Sequence, residues 1–176
     1  MQIRLLSPAL LLAITAALYA QDKTTFEVGA FTFARPAGWK WIEASSPMRK
    51  AQLEVPGKEG GKPAEITFFH FGPGGAGGVD ANVKRWLGQF QSKQGAEKVE
   101  TKELGGTKAT MVSTEGTFSS GMPGAPATAL PDYALLGAII EHGDGPVFVK
   151  MTGPAPVVND ARAKFLEFIT AAASKK

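Results

Sequence analysis

The sequence predicts an α+β fold, in which a mainly antiparallel sheet is covered by two amphipathic helices. Several segments alternate apolar and polar residues with a period of two, which is typical of strands that bury one face. Short turns rich in glycine join most of these segments, so consecutive strands are expected to pair as hairpins. Two segments show a helical period, and they do not alternate with the strands as helices do in a wound parallel sheet.

The first half of the chain contains four segments of strand type. Residues 25–34 (TFEVGAFTFA) alternate around Gly29, which predicts a short strand or one arm of a hairpin. A turn at Pro36 and Gly38 follows, and the alternation resumes at Trp39 and Trp41. Two longer strands are predicted at residues 49–55 and 64–71, with the polar hairpin GKEGGKP between them.

The first helix is predicted from an apolar stripe at i, i+3, i+4 and i+7, which comprises Val83, Trp86, Leu87 and Phe90. Asp80 is the expected N-cap, because its carboxylate can accept hydrogen bonds from the free amides of the first turn. The helix is expected to end near Gly95.

A hairpin and a long loop are expected after this helix. Residues 98–104 and 107–118 alternate on either side of Gly105-Gly106, which predicts two paired strands. Residues 119–131 (SSGMPGAPATALP) contain three prolines and two glycines and predict a loop. Loops of this length are uncommon in compact domains unless they are functional or disordered.

The chain is expected to end in two strands and a helix. Residues 133–141 (YALLGAIIE) and 146–152 (PVFVKMT) read as strands joined by the turn HGDG. An apolar stripe that starts at Ala161 predicts the second amphipathic helix, and Asn159 and Asp160 are its expected caps.

Residues 1–20 resemble a secretory signal peptide. One positive charge at Arg4 precedes an apolar stretch, and small residues precede Gln21, so cleavage is expected after Ala20. The apolar stretch is shorter than the roughly 20 residues that span a bilayer, so no stable membrane span is expected after cleavage. The expected location is periplasmic or secreted, with residues 21–176 as a single domain.

Composition excludes several function classes. There is no cysteine, which excludes disulfides, thiol catalysis and iron–sulfur clusters. The 19 basic and 16 acidic residues leave a formal charge of only +3, and the lysines are scattered except for Lys175 and Lys176. Nucleic acid binding is not expected, because it requires clustered basic residues interleaved with exposed aromatic residues.

The glycine-rich segment between the fourth strand and the first helix matches a phosphate-binding pattern. Gly72, Gly74 and Gly77 satisfy G-x-G-x-x-G. A dinucleotide site also needs a parallel strand after the helix, whereas a hairpin is expected there, and Pro73 has no N–H to donate to a phosphate. The glycines are therefore interpreted as a turn into the helix, and no cofactor is predicted.

No catalytic residue is assigned from the sequence. His70 and His142, with Glu141 or Asp144, leave a metal site open as an alternative, but neither histidine has a second histidine at ligand spacing. The serines lie in loops without a G-x-S-x-G elbow.

Three polar residues of the first helix are the predicted binding residues. Asn82, Arg85 and Gln89 lie at i, i+3 and i+7, which would place them in one row beside the apolar stripe. The row would form a polar contact surface beside the 119–131 loop, although a solvated helix face is the simpler interpretation.

Several of these stretches together resemble the PsbP-like fold. They are FTFARPAGWKW, then NVKRWLGQF on the first helix, then YALLGAIIE and VFVKMTG before the terminal helix. The resemblance spans most of the chain after the signal peptide and implies an α/β/α sandwich of the secreted bacterial branch. Members of this superfamily are mainly binding or assembly modules, so it implies a non-enzymatic role.

Three functions are therefore considered. The first is a secreted, non-enzymatic binding or accessory domain for an unknown protein or small ligand of the cell envelope. The second is a cell-envelope hydrolase with a site near residues 119–131, which would need a pocket with convergent polar groups and perturbed pKa values. The third is a metal or small-ligand carrier that uses His70 and His142.

Overall fold

The structure, a computed structural model, describes residues 24–121 and 128–174. These residues form an eight-stranded sheet, a separate two-stranded hairpin and two α-helices, so the predicted α+β class is confirmed. The predicted signal peptide at residues 1–20 and the pair Lys175 and Lys176 lie outside the described residues. None of the helices in the described part of the chain has the length and apolar character needed to cross a membrane.

Ten strands and two helices follow one another along the described residues, with a short 3-10 turn at Lys58–Gly60. They are β1 (Thr25–Val28), β2 (Phe31–Ala34), β3 (Lys40–Trp41), β4 (Ala51–Val55), β5 (Ala64–His70), α1 (Val79–Leu87), β6 (Phe90–Ser92), β7 (Lys98–Leu104), β8 (Thr107–Ser120), β9 (Thr128–Ile140), β10 (Val147–Pro154) and α2 (Ala155–Ser174).

The large sheet has the strand order β3-β4-β5-β10-β9-β8, and β6 and β7 share the far edge of β8. Each pairing between described strands is antiparallel. The last strand, β10, lies between β5 and β9 and therefore joins the two halves of the sheet. The β1–β2 hairpin pairs only with itself among the described strands and lies on one face of the sheet.

One face of the sheet is covered by α2 and by the β1–β2 hairpin. Because side chains alternate along a strand, every second residue of β4, β5, β9 and β10 points into this core. The helix contributes a stripe spaced by three and four residues, and Phe33 of the hairpin contacts Phe68 and Phe168 at ring centroid distances of 5.2 and 5.3 Å. Fully buried members of this core include Leu53, Ile66, Phe68, Met151, Phe165 and Ile169.

The opposite face of the sheet is covered in part by α1. Val83 and Trp86 pack on the sheet residues Val112, Leu135, Ile139 and Phe148. Trp86 lies directly over Gly137 of β9, where a Cβ atom would be 2.3 Å from Cζ3 of the indole. The ring can therefore pack this closely only because residue 137 has no side chain.

The glycine-rich segment is a turn between β5 and α1. Gly72, Gly74 and Gly77 have φ angles of 74°, 71° and 75°, a left-handed conformation that other residues rarely adopt. The strands on both sides of α1 enter antiparallel pairs, so the βαβ unit of a dinucleotide site is not formed by the described residues.

The first helix is shorter than predicted. It begins after Gly78, so Asp80 lies in the first turn instead of at the N-cap. It ends at Leu87 instead of near Gly95, because Gly88 and the following turn lead the chain directly into β6. Phe90, predicted as the last apolar residue of the helix, is the first residue of this strand and is buried there.

The loop predicted at residues 119–131 is also shorter than expected. Ser119 and Ala129 pair across β8 and β9, so the two strands extend well into this segment. Asp132 has a φ of 54° and lies in a register shift, where Pro131 and Asp132 add a bulge instead of ending the strand. Residues 122–127 lie outside the described residues.

The second helix begins earlier than predicted. It starts at Ala155, so Asn159 and Asp160 lie within it and do not cap it. Pro156 lies in the first turn of the helix, where a backbone N–H would not make a helical hydrogen bond, so proline is tolerated there. The predicted apolar stripe from Ala161 onward is buried against the sheet.

Candidate functional site

Part of the sheet face that carries α1 is left open and forms a cavity of about 380 Å³. It lies beyond the helix, over β5, β10 and the bulged ends of β8 and β9. We refer to it as the Lys150 cavity. Its lining includes Glu65, Thr67, Phe118, Tyr133, Lys150 and Thr152.

Strand register brings the polar residues of this cavity together. In the antiparallel pair β5–β10, Lys150 lies opposite Thr67 and Thr152 lies opposite Glu65. Residues two apart on a strand point to the same face, so these four side chains converge on one patch of the sheet. The opposite face of the same strands is largely apolar and belongs to the core beneath α2 and the β1–β2 hairpin.

Lys150 is the central residue of the cavity. Its Nζ donates a hydrogen bond of 2.8 Å to Oε1 of Gln89 and lies 5.9 Å from the centroid of the Phe118 ring. Burial disfavours the ammonium form and lowers the pKa of Lys150 to about 8, against a smaller opposing effect of the negative charge of Glu65. Lys150 is therefore a mostly buried cation that titrates near physiological pH.

The acidic residue of the cavity already has partners. Arg49 donates from Nη1 to Oε1 of Glu65 at 2.5 Å, and Gln52 donates from Nε2 to the same oxygen at 2.6 Å. The guanidinium also donates to Oε1 of Gln52 at 2.8 Å, which closes a three-residue network. The charges of Arg49 and Glu65 compensate each other, so the network contributes little net charge to the cavity.

Aromatic side chains form one wall of the cavity. The rings of Phe118 and Tyr133 are stacked with centroids 6.0 Å apart, and Phe118 also contacts Phe90 at 5.0 Å. On the floor, Oγ1 of Thr152 is buried and has no hydrogen-bond partner among the described residues. The cavity therefore combines an apolar wall, a cation and an unsatisfied hydroxyl group.

The predicted row of Asn82, Arg85 and Gln89 is not one helix face. Asn82 is 3% exposed, and its Nδ2 donates to the carbonyl oxygens of Ala76 and Gly78, which fixes the glycine turn to the helix. Arg85 is exposed on α1, whereas Gln89 lies beyond the end of the helix. Gln89 is the member of the row that lines the Lys150 cavity, and a binding role for these residues stays a prediction.

The two histidines are held by separate local contacts. Nδ1 of His70 lies 3.2 Å from the carbonyl oxygen of Pro146, and Nδ1 of His142 accepts a 3.2 Å hydrogen bond from the backbone of Asp144. Within residues 24–121 and 128–174, no three His, Cys, Asp or Glu side chains are grouped to hold a metal ion. The metal-carrier alternative therefore has no cluster of ligands in this part of the chain.

Sequence reasoning missed Lys150. The sequence did mark this position, because Lys150 is a charged residue within the otherwise apolar segment PVFVKMT. In a strand, Lys150 shares a face with Phe148 and Thr152. The missing information was the pairing of β10 with β5, which places Glu65 and Thr67 beside it. Strand neighbours this far apart in sequence cannot be read from periodicity alone.

A second cavity, of about 160 Å³, lies on the other face of the sheet between α2 and β7. Its polar wall consists largely of residues at the sheet edge and the helix surface, such as Lys98, Glu100 and Arg162, which are exposed to solvent. No charged side chain that lines this second cavity among the described residues is buried as Lys150 is. The Lys150 cavity is therefore the better candidate site.

The comparisons with known proteins concern the fold. No protein-family model and no curated protein matches the sequence. Among solved structures, the chain is similar to a Pseudomonas aeruginosa protein of unknown function, with a TM-score of 0.49, 10% identity, and coverage of 87% of this chain and 97% of that one. It is also similar to the cyanobacterial PsbP (CyanoP) of Synechocystis, with a TM-score of 0.47, 10% identity, and coverage of 80% and 84%. A PsbP structure is thus among those that resemble this chain, as the sequence resemblance led us to expect.

Proposed function

We propose that this chain is a secreted, non-enzymatic binding module whose ligand occupies the Lys150 cavity. The observation that carries the proposal is a mostly buried lysine whose ammonium has only the neutral Gln89 as a hydrogen-bond partner among the described residues. Burying a cation without a carboxylate is costly to the fold, so such a residue is expected where it contacts a ligand.

The shape of the site supports binding. A cavity of about 380 Å³ lies within the range of small-molecule sites, which combine apolar walls with a few convergent polar groups. The strands that carry these groups pack on the core beneath α2 with their other face. Of the residues predicted from the sequence, Gln89 belongs to this proposal through its hydrogen bond to Lys150.

A non-enzymatic role is supported by the state of the acidic group. Glu65 accepts hydrogen bonds from both Arg49 and Gln52 at Oε1, so one of its two carboxylate oxygens is already engaged in structural contacts. Neither of the two histidines lines the cavity.

The export part of the proposal is supported by residues 1–20 alone, which have the composition of a signal peptide. Expression of the full chain in a bacterium followed by intact-mass measurement tests it. A periplasmic product that begins at Gln21 is expected. A cytoplasmic product that retains Met1 would contradict export.

The binding site can be tested by amide NMR with a fragment library that contains acids, bases and neutral molecules. We expect the shifts caused by bound fragments to cluster at residues of the cavity. Ser119→Trp, at an exposed position of the cavity rim, should block them, and Thr101→Trp, at an exposed position of β7, should not. Fragments that bind elsewhere, or equally well to both variants, would contradict the proposal.

A hydrolase is the second candidate, because the cavity contains a lysine with a lowered pKa and borders Ser119 and Gly121. An amine that is partly neutral near pH 8 can act as a base or a nucleophile. Turnover of an ester or amide substrate that Lys150→Met abolishes and Lys84→Met retains would favour the hydrolase over the binding module.

A further inference from the structure

We propose that the Lys150 cavity selects a small organic monoanion, whose carboxylate pairs with the Lys150 ammonium while its apolar body lies along Phe118 and Tyr133. This inference rests on the proposed binding function and names the class of ligand. It follows from the charges, the free donors and the apolar wall of the cavity.

The charge of the cavity favours an anion. Among the described residues, three charged side chains line it, Arg49, Glu65 and Lys150. Arg49 and Glu65 form an ion pair with an N–O distance of 2.5 Å, so one positive charge, that of Lys150, is left without a paired carboxylate among the described residues. A cationic ligand would add a second positive charge beside the Lys150 ammonium, which burial already disfavours.

The free hydrogen-bonding groups fit a carboxylate. A lysine ammonium has three N–H donors, and Gln89 is the one acceptor that the described residues offer to it. The remaining donors are available to an oxygen anion, which would form a charge-assisted hydrogen bond. A dianion such as a phosphate monoester would need a second free cation, and the nearest candidate, Arg49, is held by Glu65 and Gln52.

The aromatic wall of the cavity favours a ligand with an apolar body. The stacked rings of Phe118 and Tyr133 line the cavity together with Phe69 and Leu130. A purely polar anion would leave these apolar side chains in contact with water, whereas an alkyl or aryl group would bury them. The ligand is therefore amphipathic, with one charged end.

The test uses two pairs of probes that differ only in charge, benzoate with benzamide and hexanoate with hexanamide. Their affinities are measured by amide NMR titration at about pH 7, where Lys150 is expected to be protonated. Wild type is compared with Lys150→Met, Lys150→Arg and the control Lys84→Met, which removes an exposed lysine of α1. The spectrum of each variant also shows whether it is folded.

We expect at least one acid to shift the amides of the cavity and to bind about 10- to 100-fold more tightly than its amide, because it gains a charge-assisted hydrogen bond. Lys150→Met should reduce the affinity of the acid to that of the amide. Lys150→Arg should retain a preference for the acid, and Lys84→Met should behave as wild type.

Two outcomes would overturn the inference, and they differ in what they say about the proposed function. If the amides bind in the cavity as tightly as the acids, or if Lys150→Met retains the preference, the cavity is a binding site but does not select anions. If neither acids nor amides bind there and no fragment is blocked by Ser119→Trp, the binding function fails as well.

Discussion

Lys150→Met should stabilise the folded protein at neutral pH. The pKa of Lys150 falls from 10.5 to about 8 because burial disfavours its charged form. At about 1.4 kcal/mol per pKa unit, this gap corresponds to a penalty on the order of 3 kcal/mol for the protonated lysine in the fold. Methionine has a similar length and no charge to desolvate, so we expect the variant to gain about 1 to 3 kcal/mol.

The stability gained in Lys150→Met should decrease as pH rises above about 8. Because the folded pKa is the lower one, the unfolded state binds more protons between about pH 8 and pH 10.5, and wild-type stability should rise with pH in this window. Below about pH 8 both states are protonated and the full penalty applies. The stability difference between Lys150→Met and wild type should therefore be constant below pH 8 and shrink above it.

Urea denaturation of both proteins from about pH 6 to about pH 10 measures this difference, and other groups that titrate in the same range cancel in the comparison. Lys84→Met serves as the control, since Lys84 is exposed on α1. A difference that is absent at pH 7, or that does not change between pH 8 and pH 10, would refute the reasoning.

Three further predictions concern packing, the unsatisfied hydroxyl and a surface carboxylate. Gly137→Ala should destabilise the protein by about 1 to 3 kcal/mol in urea denaturation, because the new methyl group would collide with Trp86. In a Trp86→Ala background the same substitution should be nearly neutral, and an equal cost in both backgrounds would contradict this contact. Thr152→Val should raise the free energy of unfolding by up to about 1 kcal/mol, because it removes a buried hydroxyl without a partner; a loss of stability would show that Oγ1 has one. Hydrogen bonds from Lys93 and Asn159 hold the pKa of Glu115 below 4.5, so the stabilising effect of the Glu115 carboxylate should be lost as pH falls through the lowered pKa. Lys93→Met should raise the NMR titration midpoint of Glu115, and an unchanged midpoint would refute this.

The fold class could be predicted because it depends on local periodicity and turns. The alternation in residues 25–34 and 98–118 and the glycines between their strands correspond to the observed hairpins. Boundaries were less predictable, because tertiary contacts decide them. Phe90 fits a helical stripe as well as a strand, and its pairing with Phe118 on β8 places it in β6.

The candidate site could be predicted only in part. A site next to the 119–131 segment was expected, and the Lys150 cavity does border Ser119 and Leu130. The residues expected to bind were chosen by helical spacing, which failed when α1 ended at Leu87 and left Gln89 in a turn. Lys150 itself depends on which strands are neighbours, and that arrangement is not encoded by any local pattern.

The position of β10 in the sheet has a consequence for how the chain is made. Because β10 is inserted between β5 and β9, an edge of β5 stays unpaired until residues 147–154 have left the ribosome. Nascent chains therefore cannot complete the sheet before β10 has emerged, and until then they expose an unpaired, apolar strand to other chains. Until β10 is available to cover this edge, the growing polypeptide therefore has its greatest need of a chaperone.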